Sequence, residues 1–273
     1  MNKTVTETEY SRIITIGKGN PTLGIVGLCH GDEVSGGVIL DELADNLSPQ
    51  QGTVMLIYAH LPASKANKRY IEANLNRIFP GNETGKLEER IAFHLRPALS
   101  TCDYVIDIHS TSEPTTPFAI STIDNENFSA FASETGLGYY VIMTPEMARG
   151  KSLIDYVNQQ GGQGISFEAG SHTDQAAIST AREVIQKILR NKGFIIGDKS
   201  RSSMQKFIAM GVVRAPTGNF TQYRVDNFKL LPAGVPYGND GTSEYSLEED
   251  CYPFLYSERR EEGRLFIKAH KVP

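Results

Sequence analysis

The 273-residue chain has 40% hydrophobic and 22% charged residues, ordinary proportions for a globular protein, which exclude general disorder. Its length is ample for a buried core without disulfide or metal staples. The formal charge of -5 argues against nucleic acid or an anionic membrane surface as the main partner.

Short apolar, β-branched runs alternate with helical patterns over the first two-thirds of the chain. TLGIVGLCH (22–30) reads as a buried strand and VSGGVILDELADNL (34–47) as the helix that follows it. TVMLIYAH (53–60) is a second strand, and KLEERIAFHLRPALS (86–100) has apolar positions at helical spacing. Strands follow at CDYVIDIHS (102–110), FAIST (118–122) and YYVIM (139–143), then a helical stretch near 151–160 and a strand at GISFEAG (164–170). QAAISTAREVIQKILRNKG (175–193) is an amphipathic helix that Gly193 stops. Such alternation predicts an α/β fold, a mostly parallel or mixed sheet with helices on both faces. Beyond about residue 200 the runs become short and are separated by Gly, Pro and Asn. The expected organisation is therefore a catalytic domain over 1–199 and a small β-rich domain over 200–273. The three cysteines, Cys29, Cys102 and Cys251, are odd in number and far apart, unlike a disulfide framework or a zinc ribbon. The opening MNKTVTETEYSRI lacks the basic-then-apolar pattern of a secretory signal, and no run is apolar enough to span a bilayer. A soluble cytoplasmic protein is the expectation.

Four segments carry candidate chemistry. In CHGDE (29–33), His30 ends an apolar strand and Glu33 lies where a helix begins, at the strand end where α/β sheets gather functional groups. The pair can direct a nitrogen and an oxygen to one metal. It equally fits a helix N-terminus with an acid in its first turn. In DIHS (107–110), His109 also ends a strand and would complete the three protein ligands usual for catalytic zinc. Asp107, on the same strand face, is a candidate to orient a ligand imidazole. KRYIEANLNRIFPG (68–81) offers Arg69, Asn76 and Arg77 as donors suited to a carboxylate, or simply a solvated basic loop. Glu168 in ISFEAG interrupts an apolar strand end, where partial desolvation would raise its pKa towards proton-transfer range. Cys29 is expected to point to the face opposite His30 and to pack as a small residue.

In this order, HGDE, RYIEANLNRIF, DIHSTS and the Glu-x-Gly of EAG resemble the succinylglutamate desuccinylase/aspartoacylase family, a branch of the zinc carboxypeptidase-like clan. The similarity runs from about residue 22 to 170 and is closest to aspartoacylase at RYIEANLNRIF. YPFLYSER resembles the family's second, β-rich domain. The resemblance implies one Zn2+ per chain held by His30, Glu33 and His109. It implies that Glu168 is the general base, that Arg69 polarises the scissile carbonyl, and that Asn76 and Arg77 hold the substrate's α-carboxylate.

The implied substrate is a small acyl amino acid, with no nucleic-acid or membrane partner and with self-association into a homo-oligomer left open. This chain departs from the family at Asn74, where an Asp commonly precedes Leu-Asn-Arg. The arginine that aspartoacylase places shortly before its catalytic Glu has no clear equivalent; Arg149 and Lys151 are the candidates, and Tyr256 stands where a substrate-contacting tyrosine is expected. The expected function is zinc-dependent hydrolysis of an N-acylated amino acid or related small amide. The alternatives are a metallocarboxypeptidase acting on peptides or peptidoglycan fragments, and a non-enzymatic binding protein on the same scaffold.

Overall fold

A computed structural model describes residues 2–144, 147, 150–216, 218–256 and 263–273. The chain opens with an antiparallel hairpin, β1 (Lys3–Glu7) and β2 (Arg12–Gly17). The next elements are β3 (Thr22–Gly27), α1 (Val34–Asn46), β4 (Thr53–Tyr58), the short α2 (Leu61–Lys65), a 3-10 turn over Leu75–Arg77 and α3 (Leu87–Leu99). Then come β5 (Tyr104–Thr111), β6 (Phe118–Ser121), α4 (Glu126–Ser133), β7 (Tyr139–Ile142), α5 (Leu153–Gln159), β8 (Gln163–Ser171) and α6 (Gln175–Asn191). The rest, among the described residues, is strand and turn: β9 (Gln205–Arg214), β10 (Thr221–Gln222), β11 (Pro236–Asn239), β12 (Glu244–Ser246), β13 (Tyr252–Phe254) and β14 (Arg264–Lys271). The fold is the expected α/β class, with a mixed sheet.

That sheet has 11 strands in the order β1-β2-β4-β3-β5-β8-β6-β7-β9-β14-β13. Its centre, β4-β3-β5-β8, is parallel, and β6 returns antiparallel to β8. Every residue of β3 is buried, because helices cover both faces of the sheet. On one face α1, α4 and α6 pack through Ile39, Phe131 and Ile188 onto Ile25 and Ile106. On the other, α3 and α5 pack through Leu95 and Leu153 onto Val26 and Val105. Gly36 is required where α1 meets the end of β3: a Cβ there would lie 2.9 Å from the Cα of Gly27. Backbone thus lies directly on backbone, which fixes the start of α1 over the strand end.

From β3 the chain goes to β4 on one side, whereas β5 lies on the other. This divergence opens a crevice at the carboxyl ends of β3 and β5, the usual ligand position in such sheets. The change of pattern expected near residue 200 falls between α6 and β9. Beyond it, β9 pairs in parallel with β7 and β14 pairs with β9, so these strands extend the large sheet. A separate three-stranded sheet, β10-β11-β12, sits over a cluster that includes Phe220, Tyr237 and Phe266.

Candidate active site

Three strand ends supply the centre of the site. β3 ends at Gly27, and Leu28 takes a positive φ of 60°, so the alternation of a strand stops there. The turn that follows carries His30 and, at the threshold of α1, Glu33. Gly31 allows this turn to press on α2; a Cβ there would fall 2.1 Å from the carbonyl carbon of Ala63. His109 and Glu168 are register partners on neighbouring β5 and β8, which puts both side chains on the same side of the sheet.

His30 Nδ1 lies 2.7 Å from Glu33 Oε1, and His109 Nδ1 lies 2.9 Å from Glu33 Oε2. All three residues are buried, and their ligand atoms lie within 4.8 Å of one another. The outer ring nitrogens are also held. His30 Nε2 is 3.1 Å from Asn74 Oδ1, an oxygen that already accepts from the Asn76 backbone N–H. That oxygen can only accept, so His30 carries its proton on Nε2 and offers the Nδ1 lone pair. His109 Nε2 is 2.8 Å from Asp107 Oδ2, which selects the same tautomer. Burial lowers the His109 pKa, but the charges of Asp107 and Glu33 outweigh it and hold the pKa well above its ordinary value, so a cation bound here would displace a ring proton. Two Nδ1 atoms and a carboxylate converging on one point suit a divalent cation, and N/O donors of this type suit zinc. The residues fit the metal that the family resemblance implies.

Cys29 packs as a small buried residue, in the apolar cluster with Val26, Ile57 and Leu75. Its Sγ also lies within 4.8 Å of ligand atoms of Asp107 and His109. Burial, then the charges of Asp107 and Glu33, push its thiol pKa well up.

Around the trio, one cleft is lined by Arg69, Asn76, Arg77, Glu168 and Tyr256 together with His30, Glu33 and His109. Arg69 Nη1 donates to Glu33 Oε1 at 2.9 Å. The Asn76 side-chain oxygen accepts from Leu153 N–H at 2.8 Å, which leaves its amide nitrogen 3.3 Å from His109 Nε2 as a close approach of two donors rather than a hydrogen bond, since Nε2 donates to Asp107. Arg77 Nη1 donates to the Asn76 carbonyl at 2.6 Å. Glu168 has Oε2 buried without a hydrogen-bond partner among the described residues. Burial first, then the charge of Glu33, raise its pKa to about 7, partly offset by His109, Arg69 and Arg264. Arg149 lies outside the described residues.

Several lining residues were not singled out from the sequence. Arg264, from the start of β14, and His172, four residues after Glu168, carry no motif. Asn74 stood out only as a departure from the family pattern, yet it is the acceptor that sets the tautomer of His30. The rest of the lining is mixed, with Ile120, Met143 and Ile154 beside Thr122 and Ser166.

Residues 19–191 match the family model for the succinylglutamate desuccinylase/aspartoacylase catalytic domain. The chain belongs to this family. A relative from Halomonas elongata, an N-alpha-acetyl-L-2,4-diaminobutyric acid deacetylase, is 30% identical over 202 residues. That match covers 68% of this chain but only 58% of the relative. A succinylglutamate desuccinylase from Photorhabdus laumondii is 29% identical over 41% of each chain. Among solved structures, a Rhodobacter sphaeroides succinylglutamate desuccinylase/aspartoacylase superposes with a TM-score of 0.78 at 20% identity, over 96% of this chain and 89% of that one. Murine aminoacylase 3 gives 0.72 at 20% identity, over 93% and 97%. At such identities these structures establish the shared fold.

Proposed function

We propose that the protein is a zinc-dependent hydrolase that cleaves the amide bond of an N-acylated amino acid or related small amide, releasing a carboxylate and an amine. The observation that carries this reading is the meeting of two parts in one cleft. His30, Glu33 and His109 converge on a point suited to a metal, and Glu168 projects beside them from the next strand with an unpaired, buried oxygen. Deacylase names among the relatives support the same chemistry.

His30, Glu33 and His109 would hold one zinc ion per chain. Zinc bound there supplies Lewis acidity and lowers the pKa of a coordinated water to about 7. Glu168, held near neutrality by burial, takes a proton from the attacking water and later returns it to the leaving amine. Arg69 stabilises the negative charge that develops on the carbonyl oxygen, a type of contact worth about 3–4 kcal/mol per donor where one is removed. Asn76 and Arg77 hold the amino acid's carboxylate, which sets the amide against Glu168. Tyr256 and Arg149 are the remaining proposed substrate contacts.

We further assign the catalytic work to residues 1–199 and treat 200–273 as an appended β-rich part that contributes to the cleft wall, in a cytoplasmic protein. No helix among the described residues is long and apolar enough to cross a membrane.

The test is a panel of N-acetyl, N-succinyl and N-formyl amino acids assayed with metal-replete protein, with unacylated peptides alongside. Release of free amino acid from at least one acyl class, abolished by chelation and restored by zinc, is expected. Release of C-terminal residues from peptides without cleavage of any acyl amino acid would favour a carboxypeptidase instead.

A further inference from the structure

The loop between α2 and α3 brings Arg69, Asn76 and Arg77 to the cleft, yet it has little regular structure of its own. Arg69, Asn74, Asn76 and Arg77 all lie on it, and only Leu75–Arg77 forms a helical turn. What holds it is a carboxylate on α3. Glu88 is fully buried. Its Oε1 accepts from the backbone N–H groups of Ile71 at 2.7 Å and Glu72 at 3.0 Å, and its Oε2 accepts from Ala73 at 3.0 Å.

A fourth donor is His60, whose Nε2 lies 3.1 Å from Glu88 Oε1. His60 Nδ1 accepts from the Ala63 N–H at the start of α2, so its proton must be on Nε2 and point at the carboxylate. The bond is reciprocated: Glu72 Oε2 accepts from Leu87 N–H, an orphan donor in the first turn of α3, at 2.6 Å. One buried acid therefore ties α2, α3 and three consecutive loop amides together.

The position of these three amides matters. Two residues before Ile71 is Arg69, bonded to Glu33; directly after Ala73 is Asn74, bonded to His30. Two residues further on, Asn76 faces His109. Each of these side chains meets one of the three residues that converge on the metal point, and each depends on the loop backbone for its place. We propose that Glu88 is a positioning residue that sets the loop's polar groups against His30, Glu33 and His109 and thereby tunes metal affinity and turnover. This rests on the metal reading given under Proposed function. Glu88 itself does not line the cleft.

Glu88→Gln tests this with little change of shape. The variant replaces one acceptor oxygen with an NH2 group that faces loop donors, so the three amides can no longer all be paired. The expected results are faster hydrogen exchange at Ile71, Glu72 and Ala73, about 10-fold weaker zinc affinity, as for lost outer partners of metal ligands, and a lower kcat/KM on folded protein. A control of comparable stability loss is Ile188→Ala, in the core on the opposite face of the sheet. It is expected to keep the zinc affinity and kcat/KM of the parent.

Unchanged zinc affinity in the Gln variant, despite freely exchanging loop amides, would overturn the proposal. So would an equal loss in the Ile188 control. Should Glu88→Gln not yield folded protein, Glu72→Ala removes only the reciprocal bond to Leu87. Severalfold weaker zinc binding in that variant supports the proposal, and unchanged binding overturns it. Exchange and zinc affinity are read without turnover. A parent protein that binds zinc but hydrolyses no acyl amino acid would therefore count against the proposed reaction alone.

Discussion

Asp107 is fully buried and uses one carboxylate oxygen, Oδ2, to accept from His109; its Oδ1 has no hydrogen-bond partner among the described residues. A buried acid kept in this way fixes the ring orientation, with Nδ1 turned towards Glu33. Asp107→Asn can offer an oxygen or an amide group to the ring, so the tautomer is no longer enforced. Zinc affinity is expected to fall about 10- to 100-fold, measured by competition with a chromophoric chelator. Parent-like affinity would mean that His109 is oriented by something else. At this scale the trio was legible because each member closes an apolar strand or opens a helix. Asn74, Glu88 and Arg264 were not. The roles of Asn74 and Glu88 come from partners 44 and 15 to 28 positions away in sequence, at His30 and at His60 and the loop amides, and Arg264 acts by its charge on Glu168 from a strand remote in sequence; no local spacing encodes these.

Among the elements, α3 does more than cover the sheet, because Glu88 anchors the loop that carries Arg69, Asn76 and Arg77. Burial pushes the Glu88 carboxyl up, but the backbone N–H groups of Glu72 and Ile71 and the His60 ring outweigh it and hold the pKa below the ordinary 4.5. A folded-state pKa below the unfolded value contributes stability that is complete above about pH 4.5 and is lost as pH falls through the folded value. The parent's thermal midpoint should therefore fall more steeply with acid than that of Glu88→Gln, the two curves approaching each other at low pH. Equal acid slopes would show that the clamp is not stabilising. The central strands and longer helices were legible because their apolar runs are continuous or keep a helical period. The β1–β2 hairpin has no counterpart among the predicted elements: every residue of β1 is exposed, so it carries no buried face to read, whereas β2 buries Ile14 and Ile16 at alternate positions and its short run was overlooked. The eight-residue α4 is too short to establish a period.

Across the whole molecule, one sheet links the two parts of the chain. β7, β9, β14 and β13 lie side by side, and Phe207, Phe228 and Phe254 form a shared core with Phe118 of β6. The change in composition near residue 200 was readable, but this pairing was not, because hydrogen bonding between distant strands leaves no mark on either strand's own sequence. Its consequence is that Arg264 and Tyr256 reach the same cleft as the strand-end trio. The account as a whole stands on a metal held by that trio and a proton carried by Glu168. Glu168→Gln, assayed on the best acyl amino acid with zinc content determined in the same preparation, separates the two. One zinc per chain with turnover reduced by at least about 100-fold is the expected result. Turnover within a few-fold of the parent, or an active protein that holds no zinc, would contradict it.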